Sequence, residues 1–220
     1  MKNILLIFFL FFYNFTNSQM IKSLIVSYEE IYVSGKNKGD VYTNSKLFHN
    51  INESVYSVGV KDVESKTDEE GISQTITKRT IPVQLYFKNY TGGKSIKQFG
   101  KSNTISLLYN LNDFKWVLFN EKKIIAGLLC KKAILKTKEE EVIAWYTEQL
   151  GVKGGPRKYD GLPGLIVYLE NKYFIYKATK IEKSIKKNDL PLKDKNTRIV
   201  TEGELKKGIT TIKTTTSQSH

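Results

Sequence analysis

What most constrains this chain is a succession of short segments rich in β-branched and aromatic residues, punctuated by Gly, Asn and charged turns, with little helical periodicity. Ser23 to Val33 (SLIVSYEEIYV) reads as a first strand and Lys36 to Asp40 (KNKGD) as the turn after it. Between Val41 and Val60 two strand-like runs follow, Lys46 to Phe48 and Ser54 to Val58, parted by Asn50, Asn52 and Glu53. Lys61 to Lys78 is polar and reads as a long loop. Strands resume over Ile81 to Tyr90, turn at Gly92-Gly93, and continue over Thr104 to Leu111 and Lys115 to Phe119. Lys123 to Leu135 is expected to pair with Glu141 to Thr147 across the polar stretch 136–140. Leu165 to Leu169 and Tyr173 to Ile181 read as a hairpin turning through Glu170-Asn171-Lys172. In its second strand both alternating sets carry apolar groups, which predicts a strand covered on both faces. Thr201-Glu202-Gly203-Glu204 has capping-box spacing, and the nearby Gly208 keeps the helix it starts short. The expected fold is mainly β: a single antiparallel, curved sheet or half-open β-barrel with a short C-terminal helix.

The first residues carry a different signal. Lys2 precedes the apolar run Ile4 to Tyr13 (ILLIFFLFFY), followed by polar residues with Thr16 and Ser18 near the end. That is the layout of a cleavable secretory signal peptide over residues 1–18. The apolar run is too short for a membrane anchor, which needs roughly 20 apolar residues. The expected organisation is therefore a signal peptide, one β domain over 19–200, and a capped helix with a Thr/Ser-rich tail over 201–220. No transmembrane segment is expected after signal cleavage, and the chain is expected to be exported.

Composition removes several function classes. One cysteine, Cys130, leaves no intramolecular disulfide to form on an oxidising route, and its apolar flanks read as a buried strand. The net charge of +13 is mostly Lys spread along the chain, unlike the clustered Arg and Lys with stacking aromatics of a nucleic-acid binder. Most of these cations read as solvated surface, with an anion site on one face as the functional alternative. The histidines, His49 and His220, leave only His49 as a base for Cys130, and no metal-ligand or nucleophile motif is present. No cofactor is expected.

The most informative segment is Lys115 to Ile166, ending in Gly161-Leu162-Pro163-Gly164-Leu165-Ile166. Pro163 biases Leu162 toward extended backbone, and the flanking glycines permit turns or close approaches that a Cβ would forbid. This turn is expected to deliver Leu165-Ile166-Val167 into a buried strand, with Gly154-Gly155-Pro156 bending the chain just before it. Trp145 and Tyr146 read as packing groups of a sheet, or as a stacking surface. Asp160 beside the turn and the acidic run Glu139 to Glu141 are the candidate acid–base carboxylates, with a solvated turn as the plainer reading of that run.

These residues, with Trp116, Lys123-Ile124-Ile125, Gly127, Cys130, Lys132-Ala133, Ala144 to Thr147 and Tyr159, resemble the GLPGLI family of exported bacterial proteins. The block Lys46 to Phe48 with Ser54 and Tyr56 is similar to its N-terminal part. The resemblance implies a small β-rich envelope protein in the periplasm or at the cell surface, associated with the outer membrane, with no assigned enzyme activity and often encoded near TonB-dependent receptors. It is also similar, at the level of fold, to half-open barrels that carry lipids or lipoproteins.

The expectation is a non-catalytic exported protein binding an apolar ligand or a partner segment on its sheet. Trp116, Trp145 and Tyr146 are the candidate pocket. The alternative is an accessory subunit of an outer-membrane receptor or export machine, and a hydrolase using Asp160 ranks below both. Envelope proteins are the expected partners, and nucleic acid is not.

Overall fold

The structure, a computed structural model, describes residues 23–35, 38–61, 84–99, 105–183 and 191–207. The expected signal peptide lies outside these residues, as does the expected polar loop apart from Lys61. Thirteen strands are described: β1 (Ser23–Tyr32), β2 (Val41–Asn50), β3 (Glu53–Ser57), β4 (Val60–Lys61), β5 (Gln84–Asn89), β6 (Lys94–Phe99), β7 (Ile105–Asn110), β8 (Val117–Ile125), β9 (Leu128–Lys136), β10 (Glu141–Thr147), β11 (Leu165–Glu170), β12 (Phe174–Lys183) and β13 (Arg198–Thr201). A short helix, α1, follows at 202–207.

The strands make one sheet in the order β13-β7-β6-β5-β3-β2-β1-β12-β11-β10-β9-β8, with β4 beside β3 along β2. Two meanders build it. One walks outward from β1 to β7, and the other walks inward from the far edge, β8 to β12, until β12 pairs with β1. Neighbours are antiparallel except β13, which adds to β7 in parallel.

This order forces the sheet to curl. β7 and β8 are ten strand spacings apart, about 48 Å in a flat sheet at ~4.8 Å per strand. Residues 111–116 alone connect them, and six residues reach only about 20–25 Å. The two ends must approach, so the sheet is a curved, open barrel. A 3-10 turn at Leu111–Asp113, capped by the Asn110 side chain, starts this crossover.

Alternation explains the core. Along β1, Leu24, Val26 and Tyr28 face inward, and the inner face continues through Leu47, Tyr56, Tyr86, Ala144, Leu169 and Tyr176. Leu165, Ile166 and Val167 are all fully buried, as the Gly-Leu-Pro-Gly turn predicts. The Thr201–Glu204 capping box also forms: the Glu204 carboxylate accepts from the Thr201 amide at 2.7 Å, and the Thr201 hydroxyl accepts from the Glu204 amide at 3.2 Å.

Four details differ from the sequence reading. β12 is covered on one side only, because Lys177, Thr179 and Lys180 point to solvent. β6 was not expected as a strand, since its inward positions include the polar Ser95 and Gln98. β13 is a four-residue edge strand with little pattern to read. Finally, residues 117–125 form one strand, and the hairpin turn falls at Ala126-Gly127, inside the segment read as continuous. Both turn residues have positive φ, 50° and 76°, which matches the tight hairpin turn that right-twisted strands prefer.

Candidate functional site: the motif loop and the cleft beside it

The segment between β10 and β11 (residues 148–164) carries the Gly-Gly-Pro and Gly-Leu-Pro-Gly bends and packs against the inner face of the curl. Its strands of contact come from the other half of the chain. The Tyr28 hydroxyl of β1 donates to the Ile166 carbonyl, and Gly154 lies against Leu47, His49 and Tyr90. The Trp116 indole donates to the Asp160 carbonyl at 2.7 Å, fixing the β7–β8 crossover against the loop. Gly164 passes so close to β10 that a Cβ there would lie 2.1 Å from the Thr147 carbonyl oxygen, so this position admits only glycine.

Two buried charge clusters clamp the loop. Lys88 of β5 donates to the Gly155 carbonyl at 2.8 Å, the Tyr159 carbonyl at 2.7 Å and Asp160 Oδ2 at 3.1 Å. All three ammonium donors are thereby used. Burial pushes the Lys88 ammonium below its usual range, and the Asp160 carboxylate opposes that shift. The second Asp160 oxygen accepts from the Gly161 amide at 2.8 Å. In the other cluster, Glu30 of β1 accepts from Ser45 at 2.8 Å, Tyr56 at 2.7 Å and the Arg157 Nε at 2.9 Å. The Arg157 Nη2 adds a second contact, giving the forked pairing that guanidinium geometry favours. Arg157 adopts φ 46°, a left-handed backbone that costs energy for a side-chain-bearing residue and that its surroundings hold in place.

Beside the loop the curl leaves a cleft. One part, about 680 Å³, is lined by Leu108, Tyr109, Phe114, Leu135, Glu140 and Lys158 among others. It adjoins a second part of about 350 Å³ bounded by Tyr86, Lys97, Arg157, Tyr173, Phe174 and Glu202. Aromatic faces alternate with cations here. Arg157 stacks 4.6 Å from the Phe174 ring centre, Lys97 lies 4.3 Å from that of Phe99, and Lys158 sits 5.9 Å from that of Tyr109.

The sequence candidates are placed apart from this cleft or at its margin. Trp116 is half-buried against the crossover, and Trp145 is half-buried beneath Lys123, 5.8 Å from the ring. Tyr146 belongs to the core. None of the three lines either part of the cleft. Asp160 faces an ammonium rather than a second carboxylate. Glu139 and Glu140 flank the cleft, where Glu140 accepts from the Tyr159 hydroxyl at 3.2 Å, while Glu141 pairs with Lys136 on the surface. Cys130 is buried on β9 and donates to the Leu128 carbonyl at 3.3 Å. His49 is on β2, with β1, β12, β11 and β10 between the two strands in the sheet. Among the described residues no group of three His, Cys, Asp or Glu side chains could hold a metal ion.

Lys88, Glu30 and Arg157 were missed by the sequence reading. A signal existed: Glu30 continues the buried phase Leu24, Val26, Tyr28, and Lys88 shares that of Tyr86.

Residues 120–168 match the family model Porph_ging, described as a protein of unknown function. The Porph_ging match spans β8 to the middle of β11 and includes the whole clamped loop. None of the curated proteins compared matches the chain. Among solved structures, PNGF-II in its C2 crystal form is similar at 19% identity and a TM-score of 0.56, over 84% of this chain and 31% of that one. PNGF-II in its P21 form matches at 18% identity and 0.55, over 84% and 32%. The likeness is one of fold, and this chain spans about a third of the length of those chains.

Proposed function

We propose that this chain is a GLPGLI-type envelope protein that acts as a non-catalytic binding module, holding a ligand or an extended partner segment in the cleft beside the motif loop. The cleft itself carries the reading: it is open, aromatic and cationic, and its walls come from β5–β7 on one side and β9–β12 on the other. Occupation of the inner face by the clamped loop turns the proposal away from an apolar ligand enclosed in the barrel. The saturated hydrogen bonding of Lys88 and Glu30 supports a structural rather than catalytic role for the buried charges. A fold found as about a third of PNGF-II is consistent with a module that serves a larger system. Export rests on the N-terminal sequence, and the periplasm or cell surface on the resemblance to the GLPGLI family.

The test is recovery of the protein from its native envelope under mild crosslinking, followed by mass spectrometry. A specific ligand or partner is expected with the natural chain and should be lost with Lys158→Glu combined with Tyr109→Ala. Equal recovery with both chains would overturn the assignment to the cleft.

A second reading, docking of an accessory subunit to an outer-membrane receptor, is favoured by β8. This edge strand is exposed along nearly its whole length, with Val117 56%, Leu118 53% and Ile124 71% accessible. Exposed apolar edges invite strand addition by a partner. Retention of the partner after cleft substitution, with loss on Ile124→Lys, would select this reading instead.

A further inference from the structure

The inner part of the cleft gathers Lys97, Arg157 and Lys158 within one wall of tyrosines. Arg157 is committed to Glu30. Among the described residues neither Lys97 nor Lys158 holds an ion pair; each ammonium instead lies over aromatic rings, Lys97 over Tyr86 and Phe99, Lys158 over Tyr109 and Tyr159. Burial and the neighbouring Arg157 lower the Lys97 ammonium to about 8, the state of a cation short of counter-charge. Three carboxylates line this part of the cleft, Glu139, Glu140 and Glu202, and that of Glu140 accepts from the Tyr159 hydroxyl. Glu202, the first residue of α1, lines both parts of the cleft, and its charge favours the Lys97 ammonium and opposes ionisation of the Tyr109 hydroxyl.

The way Glu202 is delivered matters. The incoming segment is anchored by the Asp194 carbonyl, which accepts from the Gln98 amide at 2.8 Å, and by the Thr197 hydroxyl, 2.7 Å from that of Ser106, and Val200 is buried in the sheet. Thr201 is the last residue of β13, paired with Leu108, and 201–204 are exposed. Glu202 is exposed and lies outside β13, so its side chain can swing out of the cleft without breaking a strand pairing.

We propose that this end of the cleft is a carboxylate-binding site, in which Lys97, Lys158 and the Tyr109 hydroxyl receive the acid group of a small ring-bearing ligand and Glu202 is the resident carboxylate that the ligand displaces. The flanking faces of Tyr159, Tyr173 and Phe174 suit a ring attached to that acid, and the volume of about 350 Å³ suits a small molecule. The proposal rests on the reading of the cleft as the binding site and adds the chemistry of what it takes.

The experiment uses the full-length mature chain and its Glu202→Gln variant, titrated with benzoate, with the neutral benzamide and with inorganic phosphate, followed by amide and lysine NMR shifts. Glu202→Gln should bind benzoate about tenfold tighter than the natural chain, a typical size for removal of a coupled competitor. Shifts should centre on Lys97, Lys158 and Tyr109, and Lys97→Met added to Glu202→Gln should erase the gain. Unchanged affinity in Glu202→Gln overturns the displacement. Benzamide binding as well as benzoate overturns the carboxylate assignment while leaving the cleft as a binding site, and phosphate binding as well as benzoate overturns selectivity for a carboxylate. Absence of all three probes from the cleft, with shifts elsewhere, overturns the site together with the reading it rests on. Far-ultraviolet circular dichroism and the melting temperature of each variant separate loss of binding from loss of fold.

Discussion

The Lys88 ammonium and the Asp160 carboxylate meet 3.1 Å apart with both side chains sealed from water, joining β5 of the first meander to the loop of the second. Such a pair is a poor source of net stability but a severe liability when halved, because the remaining charge stays buried without its partner.

Asp160→Asn is therefore expected to cost about 3–5 kcal/mol in urea unfolding. Combining it with Lys88→Met should restore part of that loss, because the uncompensated ammonium is gone. A double variant no more stable than Asp160→Asn alone would show that the ion pair is not the source of the effect.

The two kinds of glycine in this chain should respond differently to alanine. At Gly164 the added methyl would meet the Thr147 backbone at 2.1 Å, so Gly164→Ala should destabilise the chain by about 3 kcal/mol or more. At Gly127 the space is open within 4 Å and only the positive φ of 76° opposes the change, so Gly127→Ala should cost about 1 kcal/mol. Thermal or urea denaturation of the two variants compares them directly.

His49 sets a pH window. Burial is the main cause that holds its imidazole down at about 4, with Asp160 opposing, and its Nδ1 has no hydrogen-bond partner among the described residues. The folded state thus binds its proton later than the unfolded state, whose histidine titrates near the ordinary 6.5. Stability from this group is complete above about 6.5 and declines as pH falls toward 4, by about 2–3 kcal/mol. Unfolding free energies measured from pH 7 to 4 should fall more steeply for the natural chain than for His49→Leu. Parallel curves would remove His49 from the account.

Cys130 should be silent in the native state. Burial raises its thiol above the usual range and its side chain is inaccessible. Reaction with a chromogenic disulfide reagent is expected to follow the unfolding rate, and to become immediate in denaturant. Rapid labelling under native conditions would contradict the buried assignment.

Much of the fold was legible because its strands are short apolar runs rich in β-branched and aromatic residues, set off by turn residues. β1, β10 and β11 announce themselves through Leu24-Val26-Tyr28, Val142-Ala144 and Leu165 to Val167, and the hairpin at Asn171 through its turn residues. β6 was hidden because burial there falls on the polar Ser95 and Gln98, and the partners of Gln98, Asp194 and Thr197, come from distant positions that no local pattern reveals. The Ala126-Gly127 turn was hidden by its apolar flanks, which read as continuous strand. At the site, the Gly-Pro bends were legible from backbone chemistry alone. The cleft was not: Lys97, Tyr109, Arg157 and Glu202 converge only because the curl brings β6 and β7 over the β10–β11 loop, a relation fixed by topology rather than by spacing. Trp116, Trp145 and Tyr146 were chosen for size, and size selects packing groups as readily as binding groups.

The pairing of β1 with β12 has a consequence for the order of assembly. Ser27 and Thr179, 152 residues apart, touch across that seam. A chain made from its N-terminus must hold β1 with one edge bare until almost every other strand has been synthesised. Closing so long a loop late predicts slow folding, with the central seam as its final step. During that wait the inner row of Leu24, Val26 and Tyr28 stays open to solvent and to any chaperone that binds apolar strands.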